Sequence, residues 1–541
     1  MTLWFAPEEF TEEEQRLLRP HFTNLDRPVF ALVNLPEVTK GALFARYSRS
    51  PKSLRRLFVD EFSDQAECAG GQLPDDVGTA RAEDLYERVF LEYGDDSVAQ
   101  LGGVHLACEQ SSQLLAKILE WGRLMAYLEQ STRYVPYDDR PGGSWRYVTP
   151  PEVEKAGLAE QYTRTLDGAF ETYAKWLEPL QENLRERYPK DPGDSDFVYR
   201  STIRAKACDA LRGLLPAATR SNVGIYGTGQ SYEQLLLRMR AHPLEEVRAY
   251  ADLMLVELRK VIPAFLTRVD VPDRGGAWTR YLEETHESVT ELRSAGFLAN
   301  EIAGTPASRP EVTLTDFDAD GEVKVVAAAL YSVVDVPDDL LLDVARGMSG
   351  EERVRVLEAY VGERTNRRHK PGRAFERTSY RFDVLCDYGA FRDLQRHRLL
   401  TLEWQRLSPI HGFERPPEIE EAGAAHDWDR VLAESAALHD ELAAQGLDLA
   451  AQYAVSMAYR IRFVMQMNAR EAMHVIELRT TPQGHPTYRR VCQEMHRLIS
   501  DQAGHRAIAD AMRFVDHSSV ELERLEAERR TEAKRRAAER T

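Results

Sequence analysis

Paired cysteines are missing from this chain: its five, Cys68, Cys108, Cys208, Cys386 and Cys492, are widely scattered and never in a C-x-x-C spacing. A disulfide framework is excluded, and reduced, mostly buried cytoplasmic thiols are expected. No apolar run reaches the roughly 18 residues that a membrane helix needs. The start, MTLWFAPEEFTEEEQ, is acidic where a secretory signal is basic and then apolar, so a cytoplasmic location is expected. Positive charge is also short. With 70 Lys and Arg against 88 Asp and Glu the formal charge is −18, and a role coating nucleic acid or an anionic membrane would oppose the protein's own field. Any anionic ligand must be held by a local arginine cluster. What is present is globular material: 43% hydrophobic and 9% aromatic residues exclude global disorder. The 541 residues are several times a typical domain of about 150, so at least two packed units are expected.

Breaks rich in Pro, Gly and Asp occur at 138–144, 188–196, 272–276 and 304–321, the last being the best inter-domain linker. Between them, apolar residues recur at spacings of three and four, from Leu158 to Leu184, Leu244 to Phe265 and Trp428 to Leu442, which predicts helices. Strand-like runs are fewer: Val29–Val33, Val323–Val326 and Arg381–Leu385. The class is α+β. Strand-then-helices order from Val29 to Phe265 recurs from Val323 to Val515, and R-L-M-A-Y-L-E from Arg123 lies where R-L-L-T-L-E from Arg398 lies, which suggests two copies of one architecture. The expected boundaries are 1–275, a connector 276–322, 323–518, and a charged tail 519–541 that reads as a solvated helix or frayed end.

The segment from Glu109 to Val135 reads as one helix with core face Leu114, Ile118, Trp121, Met125 and Leu128, ending in the polar cluster Glu129, Gln130, Ser131, Arg133 and Tyr134. A carboxylate, a hydroxyl and a guanidinium together suit a small polar ligand, Arg133 being fit for a bidentate phosphate contact. A solvated helix end has the same composition. In the corresponding place of the second half stands Arg396-His397-Arg398, able to hold a pyrophosphate or the oxygen-rich edge of a flavin.

Together the two segments resemble the flavin-dependent thymidylate synthases, whose signature is R-H-R followed after seven residues by Ser, with E-x-S-x-R-Y. The first half reads Trp121-Gly122-Arg123 and then Glu129-Gln130-Ser131-Thr132-Arg133-Tyr134. The second keeps Arg396-His397-Arg398 but has Arg406 at the serine position and Ser408 at the arginine position. Other family segments follow suit. Asp209-Ala-Leu-Arg212-Gly-Leu-Leu215-Pro216 resembles the E-x-x-R-x-x-L-P helix, with Gln452 replacing the arginine in the second half. Met467-Asn468-Ala469-Arg470 and then Leu478-Arg479 resemble N-A-R and the later L-R, against Gly227-Thr228-Gly229 and Leu237-Arg238 in the first. His369 to Glu376, and loosely Tyr93 to Ser97, resemble the stretch ahead of the motif. The chain looks like a tandem fusion of two diverged family domains.

The resemblance implies a division of labour. The second half is the flavin half, through Glu376, Arg396, His397, Arg398, Asn468 and Arg470. The first is the nucleotide half, through Arg123, Glu129, Gln130, Ser131, Arg133 and Arg212, with Arg238 and Arg479 as the catalytic arginines. The implied reaction is reductive methylation of dUMP to dTMP, with FAD as cofactor and NADPH and methylenetetrahydrofolate as co-substrates. No catalytic cysteine and no metal are implied. A homodimer would reproduce the four-domain core of the single-domain family members. A relative that binds nucleotide or flavin without synthase activity predicts the same text. A di-iron carboxylate reading rests on Glu283/His286 and Glu471/His474, and would need both pairs in one four-helix bundle. Gly224 to Gly229 lacks the Lys-Ser/Thr of a phosphate loop and reads as a turn before a Tyr232–Arg240 helix. His242, His485 and His505 read as helix-end or surface histidines.

Overall fold

The computed structural model describes residues 8–28, 30–47, 50, 52–61, 100–294, 309–522 and 524–538. Cys68 and the stretch from Tyr93 to Ser97 lie outside them. The chain divides into two compact units: Met1–Glu109, Leu124–Leu128 and Asn222–Ala299 form the smaller, and Gln110–Arg123, Glu129–Ser221 and Asn300–Thr541 the larger.

One series of elements is used twice, the first repeat having one helix more. The first repeat runs β1 (Gly103–Ser112), α1 (Gln113–Leu119), β2 (Met125–Glu129), α2 (Ala159–Arg187), α3 (Asp196–Leu211), β3 (Arg220–Thr228), α4 (Gly229–Arg240) and α5 (Glu245–Arg259). After β4 (Val312–Phe317) and α6 (Gly321–Tyr331), the second runs β5 (Ser379–Asp387), α7 (Tyr388–Leu394), β6 (Thr401–Trp404), α8 (Ala425–Ala444), β7 (Arg460–Asn468), α9 (Ala469–Arg479) and α10 (Pro486–Asp501). The three-stranded sheet has the order β1-β3-β2, and the four-stranded sheet repeats it as β5-β7-β6 with β4 added at the edge. The second sheet is antiparallel throughout, β5 facing β7 from Ser379↔Asn468 to Asp387↔Arg460. Alternation explains β7: Ile461, Phe463, Met465 and Met467 are buried, while Arg462 and Gln466 on the other face pair with Asp383 and Arg381 at 2.8 and 3.0 Å.

Each short helix after a first strand is capped by that strand's last residue, Ser112 for α1 and Asp387 for α7. Inside the larger unit the repeats join by reciprocal backbone bonds, Ala217 N–H to Val455 O at 2.8 Å and Met457 N–H to Leu215 O at 2.9 Å. Trp428 lies so close to Gly213 that a Cβ there would stand 2.5 Å from the indole. Glycine is required by that approach.

Several sequence expectations need correction. Glu109 to Val135 is strand, short helix and strand rather than one helix: Gly122 interrupts it, and Leu128, assigned to the core, is 80% exposed. Val323–Val326 lies inside α6, where Val325 and Val326 are buried; packing overrides β propensity, and the strand comes earlier as β4, inside the stretch read as connector. Val29 lies outside the described residues, and among those around it that are described the strand run forms only an isolated bridge, Phe22↔Leu32. Gly224 and Gly227 are in β3 rather than a turn, and Met125 passes over Gly227. The helix predicted from Leu244 to Phe265 is α5 followed by the 3-10 turn Pro263–Leu266. Helices from Leu158 and Trp428 are present as α2 and α8, and Arg381–Leu385 as part of β5. His505 is buried, its Nδ1 2.8 Å from the Tyr380 hydroxyl. Among the described residues no helix is long and apolar enough to cross a membrane.

Candidate active site

The larger unit brings both sequence motifs into one network of buried ion pairs. Glu129, the last residue of β2, is buried and receives Lys117 Nζ at 3.0 Å, Arg392 Nη2 at 2.7 Å and Arg396 Nη2. Burial alone would raise its pKa, but Arg392, Lys117 and Arg396 hold the carboxyl well below the usual range. Glu120, beside Lys117, is pushed up by burial. Lys117 and Arg392 are side chains of α1 and α7, each five residues beyond its cap, so the repeated local fold aims both at one carboxylate.

A second centre is Asp209 at the end of α3. Arg133 makes a bidentate pair with it at 2.6 and 2.7 Å and donates to the Tyr488 hydroxyl at 3.1 Å. A third is Asp393, 3.7 Å from Arg479 and 3.9 Å from Arg212. Against burial, Arg396 and Arg479 hold its carboxyl well below the ordinary range. These centres make a string of three neighbouring groups, Lys117, Arg392 and Arg396 with Glu120 and Glu129, Arg133 with Asp209, and Arg212 and Arg479 with Asp393, in which six cations face four carboxylates. The groups are linked by the charges of Arg396 and Arg133 acting on Asp393 and of Arg212 acting on Asp209. Arg212 Nη2, Arg392 Nε and Arg396 Nε are buried without a hydrogen-bond partner. Surplus buried charge and unused donors are what an anionic ligand neutralises.

Next to the string lies a cavity of about 280 Å³ lined by Arg212, Asp209, Asp387, Glu414, Trp428 and His485, among others. Burial and then Glu414 raise Asp387 to about 6, and its Oδ2 has no partner. Arg479 Nε–H donates to His397 Nε2 at 2.9 Å, and His397 Nδ1 is 3.8 Å from Glu471, which also faces His474 at 3.3 Å. Burial pushes His397 down to about 4, so the ring is neutral at pH 7. His397, Glu471 and His474 bring their ligand atoms within 4.8 Å of one another. Arg479 fixes the lone pair of His397 at Nε2 and leaves its proton at Nδ1, on the side of Glu471, so one hydrogen bond, from Arg479, orients the ring. Glu283 and His286, the other half of the di-iron pattern, lie in the helix Gly275–Ser294 of the smaller unit.

The sequence model of the family described as Thymidylate synthase complementing protein matches residues 43–264 and again 313–504. The chain belongs to that family. It carries the family domain in tandem, as the repeated element series does. A UPF0159 protein of Chlamydia pneumoniae is 37% identical over 97% of this chain and 98% of its own length. A UPF0159 protein of Thermoplasma acidophilum is 30% identical over 92% of this chain and 99% of its own. A flavin-dependent thymidylate synthase of Clostridium tetani is 26% identical over 178 residues, 32% of this chain and 66% of its own.

Of the residues that the family motifs single out, Glu129, Arg133, Arg212, Arg396, His397 and Arg479 are in the string or touch it. Ser131 accepts from the Arg133 N–H at 3.3 Å, and Gln130 is half-buried beside Glu129. Arg123 is exposed and donates to the Thr401 hydroxyl at 3.1 Å; Arg398 is exposed too. Arg470 donates to the Pro371 carbonyl at 3.0 Å and to Glu376 at 3.3 Å, and Asn468 caps α9. Arg238 belongs to the smaller unit. Counted from the caps Thr228 and Asn468, Arg238 stands ten residues on and Arg479 eleven, so the counterpart of Arg479 is the buried Met239 and Arg238 falls level with Leu478. Sequence reasoning missed Lys117, Asp209, Arg392, Asp393 and Tyr488. Arg392 and Asp393 stood just ahead of R-H-R, and Asp209 in the place of the family glutamate, as available signals. Burial pushes the Cys208 and Cys492 thiols up to about 11 and about 12.

Proposed function

We propose that the protein is a flavin-dependent thymidylate synthase with a composite site, converting dUMP to dTMP with methylenetetrahydrofolate and NADPH. The observation that carries this reading is the ion pair of Arg396, from the R-H-R of the second repeat, with Glu129, from the E-x-S-x-R-Y of the first. A phosphate monoester brings close to two charges, and Arg133 and Arg212 lie on the side of the string that first-repeat motifs supply. The second-repeat residues suit FAD as an anion-receiving set: Arg396 keeps a buried Nε without a partner, while Arg398 and Arg470 stand exposed and half-buried. When bound, the flavin supplies the hydride that reduces the transferred one-carbon unit. The protein's own task is positioning: Arg479 fixes the His397 tautomer, and buried guanidiniums offer fixed charge in a water-poor setting.

The test is the visible spectrum of the purified protein with FAD, before and after dUMP, followed by an assay for dTMP. A bound-flavin spectrum that shifts with dUMP, and dTMP that disappears in Arg133→Ala, is expected. No bound flavin overturns the reading. A second reading, ligand binding without synthase activity, is favoured by Arg133 already being satisfied by Asp209. It predicts the spectral shift without product. We further infer a homodimer, tested by light scattering.

A further inference from the structure

The charged C-terminal stretch looked like a solvated tail, yet the larger unit holds the chain just ahead of it and again within it. Thr480, Arg489 and Gln493 bind backbone groups of Asp516 and Ser518. Arg529, in the terminal helix α11 (Leu525–Ala538), makes a bidentate pair with Asp194 at 2.6 and 2.9 Å. Between these anchors Arg524 is 5% exposed, its guanidinium carbon 3.9 Å over the Tyr134 ring, the tyrosine of the E-Q-S-T-R-Y motif.

Arg524 has no carboxylate of its own. Its Nη2 is 3.9 Å from Asp209, which already serves Arg133 with both oxygens, and its Nε and Nη1 are buried without a partner. Burial and then the Arg133 charge lower its pKa, the mark of a cation set beside another cation with too little negative charge between them. An uncompensated buried guanidinium is costly, and neither the Tyr134 ring nor the nearby Arg133 charge neutralises it. An anion does.

We propose that Arg524, carried by the C-terminal segment onto the motif of the first repeat, is a phosphate-binding residue that works with Arg133 on the monoester group of the nucleotide. This rests on the nucleotide reading of the Arg133 motif. The anchors at Asp516 and Asp194 position it, so the tail completes the site rather than extending into solvent.

The experiment compares the full chain with Arg524→Gln and Arg524→Lys, reading flavin content, melting temperature and dUMP affinity from the flavin spectrum. Expected for Arg524→Gln is a dUMP dissociation constant raised about 10- to 100-fold, the weight of a charge-assisted contact, with flavin content and melting unchanged. Arg524→Lys recovers part of the loss, because charge without the planar fork serves a phosphate less well. Unchanged dUMP affinity in Arg524→Gln overturns this proposal and leaves the synthase reading intact. Equal loss of flavin and dUMP with lowered melting, unrelieved in Arg524→Lys, overturns it too, making Arg524 a structural clamp. A full chain that binds flavin but not dUMP overturns the nucleotide reading, and this proposal with it.

Discussion

Residue for residue, the two repeats share a backbone plan and divide its chemistry. Seventeen residues beyond the caps Ser112 and Asp387 stand Glu129 and Trp404. Eight residues ahead of β3 and β7 stand Arg212 and Gln452; eleven beyond the caps of α4 and α9 stand Met239 and Arg479. Where one repeat carries a charge of the string, the other carries an uncharged side chain: an aromatic, an amide, a hydroxyl or an apolar chain. Only Lys117 and Arg392 are cationic in both, and both serve Glu129. A duplicated fold that assembles one charged string is free to fill the duplicate positions with packing.

The largest expected effect comes from cancelling the hub of that string. Glu129→Gln leaves Lys117, Arg392 and Arg396 without their shared carboxylate, and should cost about 3–5 kcal/mol in urea unfolding. Glu403 in β6 looks like its partner in the sequence, R-L-L-T-L-E against R-L-M-A-Y-L-E. It is one residue out of register, however, level with the exposed Leu128, and is itself exposed. Glu403→Gln should stay within about 0.5 kcal/mol. Equal effects would break the assignment of Trp404 as the true counterpart.

That slip shows what the sequence could carry. Order and spacing of motifs survived well enough to reveal two copies and to name half of the string, because R-H-R and E-x-S-x-R-Y are short and dense. Carboxylates were less visible. Asp209 and Asp393 are ordinary helical residues until folding sets arginines around them, and helical spacing from Leu114 to Leu128 concealed a strand, a seven-residue helix and a second strand. The hydrophobic period also misread Val323–Val326, since a short β-branched run fits a buried helix face as well as a strand.

Two buried groups of the second repeat give opposite pH dependence. His397 titrates near about 4 when folded against an ordinary 6.5. Between these values the unfolded chain binds more protons, so its contribution to stability is lost as pH falls from 6.5 to 4. Asp387 is raised to about 6 from an ordinary 3.8, so there the folded chain binds more protons and stability is lost as pH rises through that window. Each slope amounts to something on the order of 3 kcal/mol, and they largely mask each other. His397→Gln should make the protein relatively more stable toward pH 4, and Asp387→Asn relatively less. Their first-repeat counterparts, Gly122 and Ser112, carry no such charge. Variants with unchanged slopes would place both groups in water.

A smaller effect tests Arg212 against Gln452. Arg212→Gln, which imports the residue of the second repeat, should raise the dUMP dissociation constant about 10- to 100-fold. Gln452 accepts the Leu407 N–H at 3.0 Å, so Gln452→Ala should lose about 1 kcal/mol of stability and leave dUMP affinity within about twofold.

The smallest effect separates structure from function within one residue. Asn468 and Thr228 close the last strands of their sheets and cap α9 and α4, their side chains accepting from Glu471 and Ser231 backbone N–H groups. As caps they are equivalent, and Asn468→Ala and Thr228→Ala should each cost about 1 kcal/mol. Under the proposed reading Asn468 has a second task toward flavin that Thr228 does not share. Asn468→Ser retains a capping hydroxyl but lacks the amide N–H₂, so it should melt within a few degrees of the parent, as expected for a change well under about 1 kcal/mol, yet bind FAD more weakly. Thr228→Asn supplies the amide in the other repeat and should leave flavin content unchanged. FAD binding that tracks only stability across these four variants would reduce Asn468 to a cap, and the asymmetry of the repeats would then rest on the charged string alone.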